Sequence, residues 1–207
     1  DAIDINGNDA TSTNATTLTA TGDATGNSID AGTVATLDVA LDATGNSVDA
    51  NSIAILTGVD NVVGNSLTSD LGVTILADQD ISGNAIDADG GDVALTALMD
   101  ASGNTIDASG DVTIGAVNAI DNTITAASGI ITAGTDADGN TIHADTGVAT
   151  VIATNGSATG NILDTPATAT VQALLGDATG NSAAGLVVEI DAIDINGNDA
   201  TSTNATT

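Results

Sequence analysis

Asp23-Ala24-Thr25-Gly26-Asn27-Ser28-Ile29-Asp30-Ala31 is followed nineteen residues later by Asp42-Ala43-Thr44-Gly45-Asn46-Ser47-Val48-Asp49-Ala50. The core of the phrase, Gly-Asn-x-apolar, recurs along the whole chain. Aligned on its asparagine, the chain gives Asn8, Asn27, Asn46, Asn65, Asn84, Asn104, Asn122, Asn140, Asn161 and Asn181. Successive spacings are 19, 19, 19, 19, 20, 18, 18, 21 and 20 residues. Glycine precedes the asparagine everywhere except at Asp121, and an apolar residue lies two positions after it in every copy, from Ala10 and Ile29 to Leu163 and Ala183.

The spacing inside the phrase decides the fold. Asn27, Ile29 and Ala31 alternate with Ser28 and Asp30, and a period of two belongs to a strand with one buried face. Helical repeats need periods of about 33 residues or more and apolar spacings of three and four. A period near 19 with strand alternation therefore predicts an all-β, parallel β-solenoid with one coil per repeat. A second strand is expected after a turn, as in Ile53-Ala54-Ile55-Leu56 and Val93–Met99, with turns at Asp89-Gly90-Gly91-Asp92 and Ser109-Gly110-Asp111. The glycine suits a bend with positive φ. The asparagine carries both donors and an acceptor, so the ten asparagines are expected to stack as a ladder that satisfies buried turn backbone and pins the register.

A longer period overlies the short one. Residues 191–207 are an identical copy of residues 1–17, an offset of 190 residues, or ten coils. At the parallel-strand spacing of about 4.8 Å, ten coils rise roughly 48 Å. The chain is expected to be one continuous solenoid over 1–207, with 191–207 opening the next super-repeat. Residues 1–17 read like any other coil start, so the stack is expected to run on, either as a covalent tandem array or by subunits meeting end to end.

Composition narrows the function. The chain has 207 residues, 28 acidic side chains, no Lys or Arg, no aromatic residue and no Cys, with 42% hydrophobic residues. Without aromatics an ordinary globular core is hard to fill, yet abundant Val, Ile and Thr argue against disorder. A narrow core of small branched side chains fits. A net charge of −28 leaves nothing to neutralise a phosphate, which excludes nucleic acid and disfavours anionic membranes. No run of 18 apolar residues offers a membrane span.

Two aspartate rows are candidate cation ligands. Asp23, Asp42, Asp80, Asp100, Asp136 and Asp177, with Asp4, lie four positions before the asparagine; Asp30, Asp49, Asp87, Asp107 and Asp164 lie three after it. Stacked carboxylates about 5 Å apart repel by the order of 1 kcal/mol per pair in a water-like dielectric, and Ca²⁺ takes oxygen ligands of this kind. The alternative is a solvated acidic surface. His143 stands in the second row as a surface substitution. No nucleophile with its base, phosphate loop or paired acid in a pocket is visible, so no enzyme is expected. Asn14, Asn155 and Asn204 head glycosylation sequons.

The Gly-Asn-x-apolar phrase on its period near 19, over the whole chain, resembles the repeats of secreted bacterial β-solenoids: extended adhesins, haemagglutinin-like filaments, and the calcium-binding repeats of toxin and ice-binding adhesins. The resemblance implies an extracellular or cell-surface filament or adhesin stalk whose partner is itself, end to end and in lateral bundles. The paired glycines of the calcium-binding nonapeptide are not at Thr25-Gly26, so the Ca²⁺ expectation rests on the aspartate rows. Lateral contact is expected along exposed apolar residues of the second strand, with Leu56 and Leu98 among them. The alternative reading is an ice-binding or ligand-presenting solenoid, using the threonines of Thr-Gly-Asn at 25–27, 44–46, 159–161 and 179–181.

Overall fold

The computed structural model describes the backbone of residues 3–206 and the side chains of 3–204. The chain winds as a parallel β-solenoid, and among the described residues there is no helix. Each coil carries three strands. One coil consists of Ala24–Thr25, Ser28–Ala31 and Ala35–Val39, and the next of Ala43–Thr44, Ser47–Ala50 and Ile53–Gly58. Every strand pairs in parallel with its counterpart one coil on, so Ala24 meets Ala43, Ile29 meets Val48 and Leu37 meets Leu56. The stack therefore has three faces, here called first, second and third in chain order. The sequence shows the second and third faces by their alternation. The first is only two residues long in most coils, too short to alternate visibly.

Alternation sets what is buried. Ser28–Ala31, Ser47–Ala50 and Ala85–Ala88 all run exposed, buried, exposed, buried. The second face sends Ile29, Val48, Leu67, Ile86, Ile106 and Ile124 inward, and the third sends Leu37, Leu56, Ile75, Leu95 and Ile114. The first face contributes mostly alanine, as at Ala24, Ala43, Ala101 and Ala119. Glycines make room for larger side chains: a Cβ on Gly58 would lie 2.9 Å from Cγ2 of Val62 on the first face, and one on Gly129 would run into Cγ2 of Ile142 on the second. Branched aliphatic side chains of complementary size fill this narrow core to native density without an aromatic ring.

Leu56 corrects one expectation. It is fully buried, stacked between Leu37 and Ile75. Register with those two neighbours fixes its parity, so Ile53 and Ile55 turn outward instead. Leu98, at the corner after the third face, is exposed as expected, with Met99 beside it.

The irregular spacing has a local cause. The corner between the first and second faces keeps one length in every coil, as from Ala24 to Ser28, Ala101 to Thr105 and Ile195 to Asp199. Insertions and deletions fall in the other two corners. Ala88 to Val93 is one residue longer than Ala31 to Ala35, while Leu174–Gly176 is matched in the following coil by Ile193 alone.

At the invariant corner the glycines have φ between 61° and 66°, from Gly7 through Gly197. Asp121 holds the same place at φ 53°. A side chain in the left-handed region costs roughly 1–2 kcal/mol that glycine avoids. Asp121→Gly is therefore expected to stabilise the chain by about 1 kcal/mol, read as a higher denaturant midpoint with unchanged slope.

Candidate functional surfaces

The ten predicted asparagines form one continuous row, joined at its end by Asn198. Asn27 through Asn181 are all 0–1% exposed. The bond pattern repeats coil by coil. The Oδ1 of Asn65 accepts the backbone N–H of Asn46 at 2.8 Å and its side-chain Nδ2–H at 2.9 Å. The Nδ2 of Asn65 donates onward to Oδ1 of Asn84 and back to the carbonyl of Ala43, both at 3.0 Å. Each amide thus ties its own coil to the one before and the one after. It also accepts the backbone N–H that the corner takes out of the β ladder. The same set recurs from Asn8–Asn27 to Asn181–Asn198, through Asn104, Asn122, Asn140 and Asn161.

The first aspartate row is a second ladder. Oδ1 of Asp4 accepts the N–H of Asp23, Asp23 that of Asp42, and Asp80 that of Asp100. Where the row lacks aspartate, another acceptor takes over: Asn61 receives the N–H of Asp80, Asn118 that of Asp136, and Ser157 Oγ that of Asp177. Asp42 and Asp136 in turn accept the backbone N–H groups of Asn61 and Ser157, which stand at two of these breaks. The row is conserved in its acceptor rather than its charge. Its polarity is opposite to the asparagine ladder: aspartates accept from the following coil, asparagines from the preceding one.

The second row, Asp30, Asp49, Asp87, Asp107 and Asp164, faces outward from the second face. The first row sits at the corner that precedes the first face, so where a coil carries both carboxylates, as with Asp23 and Asp30, the first face and the asparagine corner lie between them. Among the described residues no three His, Cys, Asp or Glu side chains gather as a metal site. His143 stands in the second row and pairs with Asp164 at 3.2 Å and Asp145 at 3.3 Å. Asp87 is held above the usual carboxylate range by partial desolvation and by the neighbouring charges of Asp89 and Asp107.

The threonines of Thr-Gly-Asn do not make a regular row. They lie on the first face in a column interrupted by Val63, Ile120 and Asp138. The array of threonines is on the third face, which the sequence reading passed over. Its two outward columns read Thr17, Thr36, Ile55, Thr74, Ala94, Thr113, Ile130, Thr150, Thr170 and Thr19, Asp38, Thr57, Leu76, Thr96, Gly115, Thr132, Ile152, Gln172. All nine coils have threonine in at least one column. The variable corners hide this from a fixed-offset alignment; anchoring on the third-face leucines and isoleucines reveals it.

No protein-family model, curated protein or solved structure matches the chain. What defines it is the class of fold: a three-faced parallel β-solenoid with an asparagine ladder.

Two outcomes follow. Asn65→Ala removes two donors' partner and leaves the N–H of Asn46 buried without an acceptor; it is expected to cost about 3 kcal/mol or more, measured by equilibrium unfolding. Asp87→Asn is expected to raise the melting temperature at neutral pH. A carboxyl with a raised folded pKa favours the fold when protonated and loses that contribution as pH rises through the folded value. The advantage of the asparagine should therefore vanish on acidification below the ordinary aspartate range.

Proposed function

We propose that the protein is a structural, non-catalytic element of an extracellular filament or adhesin stalk, built by end-to-end stacking of solenoid coils. One observation carries the reading. The same segment is seen bonded on each of its two edges. In its first copy, Asp9–Ser12 pairs with Ser28–Ala31 of the following coil. In its second copy, Asp199–Ser202 pairs with Ser182–Gly185 of the preceding coil. Asn8 likewise bonds forward to Asn27, while Asn198 accepts from Asn181. A segment that fits the coil before it and the coil after it lets the 190-residue period propagate without a joint.

The function of such an array is length and stiffness at constant cross-section. Its acidic rows keep rods soluble and apart, and divalent cations gathered along the stacked carboxylates stabilise the stack by screening. The melting temperature is expected to rise more in Ca²⁺ than in Na⁺ of equal ionic strength.

The decisive experiment joins two 190-residue periods in one polypeptide and measures the particle by small-angle scattering and electron microscopy. One straight rod, longer than the single period by roughly 48 Å, is expected. Two rods meeting at a variable angle would overturn the reading.

A further inference from the structure

The third face differs from the rest of the molecule in charge. The chain carries 28 acidic residues, yet from Ile55 to Gln172 neither outward column of this face holds one. Asparagine and aspartate side chains at the corners are spent on backbone groups, whereas among the described residues none of the third-face threonine hydroxyls in these columns is held by another group of the chain. The face is regular: pairing runs from Thr16 to Ala173 in one register, and the first shift comes only after Ala173.

We propose that this third face is an ice-binding surface, its ligand the ordered water of an ice crystal plane. Parallel strands set successive positions of a column about 4.8 Å apart along the axis, and alternate residues set the two columns roughly 6.6 Å apart across it; from Thr57 to Thr150 the threonines alternate between the two columns, coil by coil. This staggered, periodic array of hydroxyls offers bonding sites to a periodic lattice of water. Threonine supplies a hydroxyl to join the lattice and a methyl group that orders water beside it. Isoleucine, alanine and leucine at the remaining positions add apolar surface without charge. β-branching holds χ1 stiffly, so the grid is set before the ligand arrives. A neutral, water-ordering face matches a neutral lattice. The hydrated carboxylates on the second face and at the corner before the first resist overgrowth and make binding one-sided.

A second copy of the chain is the competing occupant. Face-to-face pairing would bury these hydroxyls away from water, and each would then need a partner; the alternating isoleucines and threonines offer no such set. The face favours a ligand that is itself a hydrogen-bonding lattice. This goes beyond the filament reading and does not depend on it, because one 190-residue period already presents nine coils of the grid.

The test uses the full chain as a dilute single species. Thermal hysteresis and uptake into a slowly growing ice hemisphere are measured for the unaltered protein, for Thr74→Tyr, Thr113→Tyr and Thr150→Tyr on the third face, and for Thr105→Tyr and Thr123→Tyr on the second. Circular dichroism checks the fold, and Thr113→Lys replaces any tyrosine variant that does not fold. The unaltered chain is expected to shape ice and enter it. Each third-face variant is expected to lose hysteresis about tenfold, as for central residues of a binding surface, while the second-face variants keep it. Exclusion of the unaltered chain from ice overturns the proposal. So does equal loss from both faces, or a dimer by sedimentation that the third-face substitutions dissociate without hysteresis ever appearing. None of these results alters the length of the two-period rod, so this inference and the filament reading fail separately.

Discussion

The structure depends on one amide. At the corner between the first and second faces the chain must turn sharply, and glycine with positive φ provides the turn. That turn takes a backbone N–H out of the β ladder inside a dry core, where an unmade hydrogen bond costs the full desolvation of the group. Asparagine is the side chain that repairs this and repairs itself. Its Oδ1 takes the orphaned N–H of the neighbouring coil together with that coil's side-chain donor, and its own Nδ2 finds two acceptors. Serine would supply one donor where two are used, and aspartate would bring a buried charge and no donor at all. The row is a closed account only because it repeats, since each amide needs the next.

From that constraint the division of labour follows. The asparagine corner tolerates no change in length, and it shows none. The other two corners lie outside the amide row and absorb the residues that make one coil 17 long and another 21. The faces divide similarly. Alanine on the first face brings the walls close, and larger branched side chains on the second and third fill the remaining width. Because the register is pinned at one corner, a one-residue slip anywhere would move leucines out and threonines in on a neighbouring strand.

This explains what the sequence made legible. The amide row, the period, the parallel solenoid and the inward place of Ile29 and its equivalents were all readable, because they belong to the invariant corner and the strand that leaves it. Leu56 was misplaced because its strand is apolar on both parities, and only stacking on Leu37 and Ile75 settles which way it points. The threonine grid was missed for the same reason in another form: it lies beyond a corner whose length varies. The first aspartate row looked like charge, and Asn61, Asn118 and Ser157 looked like gaps in it. Only the geometry shows that all of them accept the same backbone N–H.

The remaining physical problem is how a chain with no Lys or Arg stacks so many carboxylates. Each vertical pair about 5 Å apart costs on the order of 1 kcal/mol when exposed to water, and an unbroken ten-coil row would accumulate that cost at every step. The rows are broken. On the second face Asp30 and Asp49 are followed by Thr68, Asp87 and Asp107 by Thr125 and His143, and Asp164 by Ala184. On the first row Asn61, Asn118 and Ser157 interrupt the aspartates without interrupting the ladder. Carboxylates stand at most two deep in one row and three in the other. Where a third joins from the side, as Asp89 does beside Asp87 and Asp107, its charge adds to the desolvation that already makes Asp87 hold its proton more tightly. Charge is thus dispersed along one corner and the second face in short runs, and the third face stays free of it over seven consecutive coils.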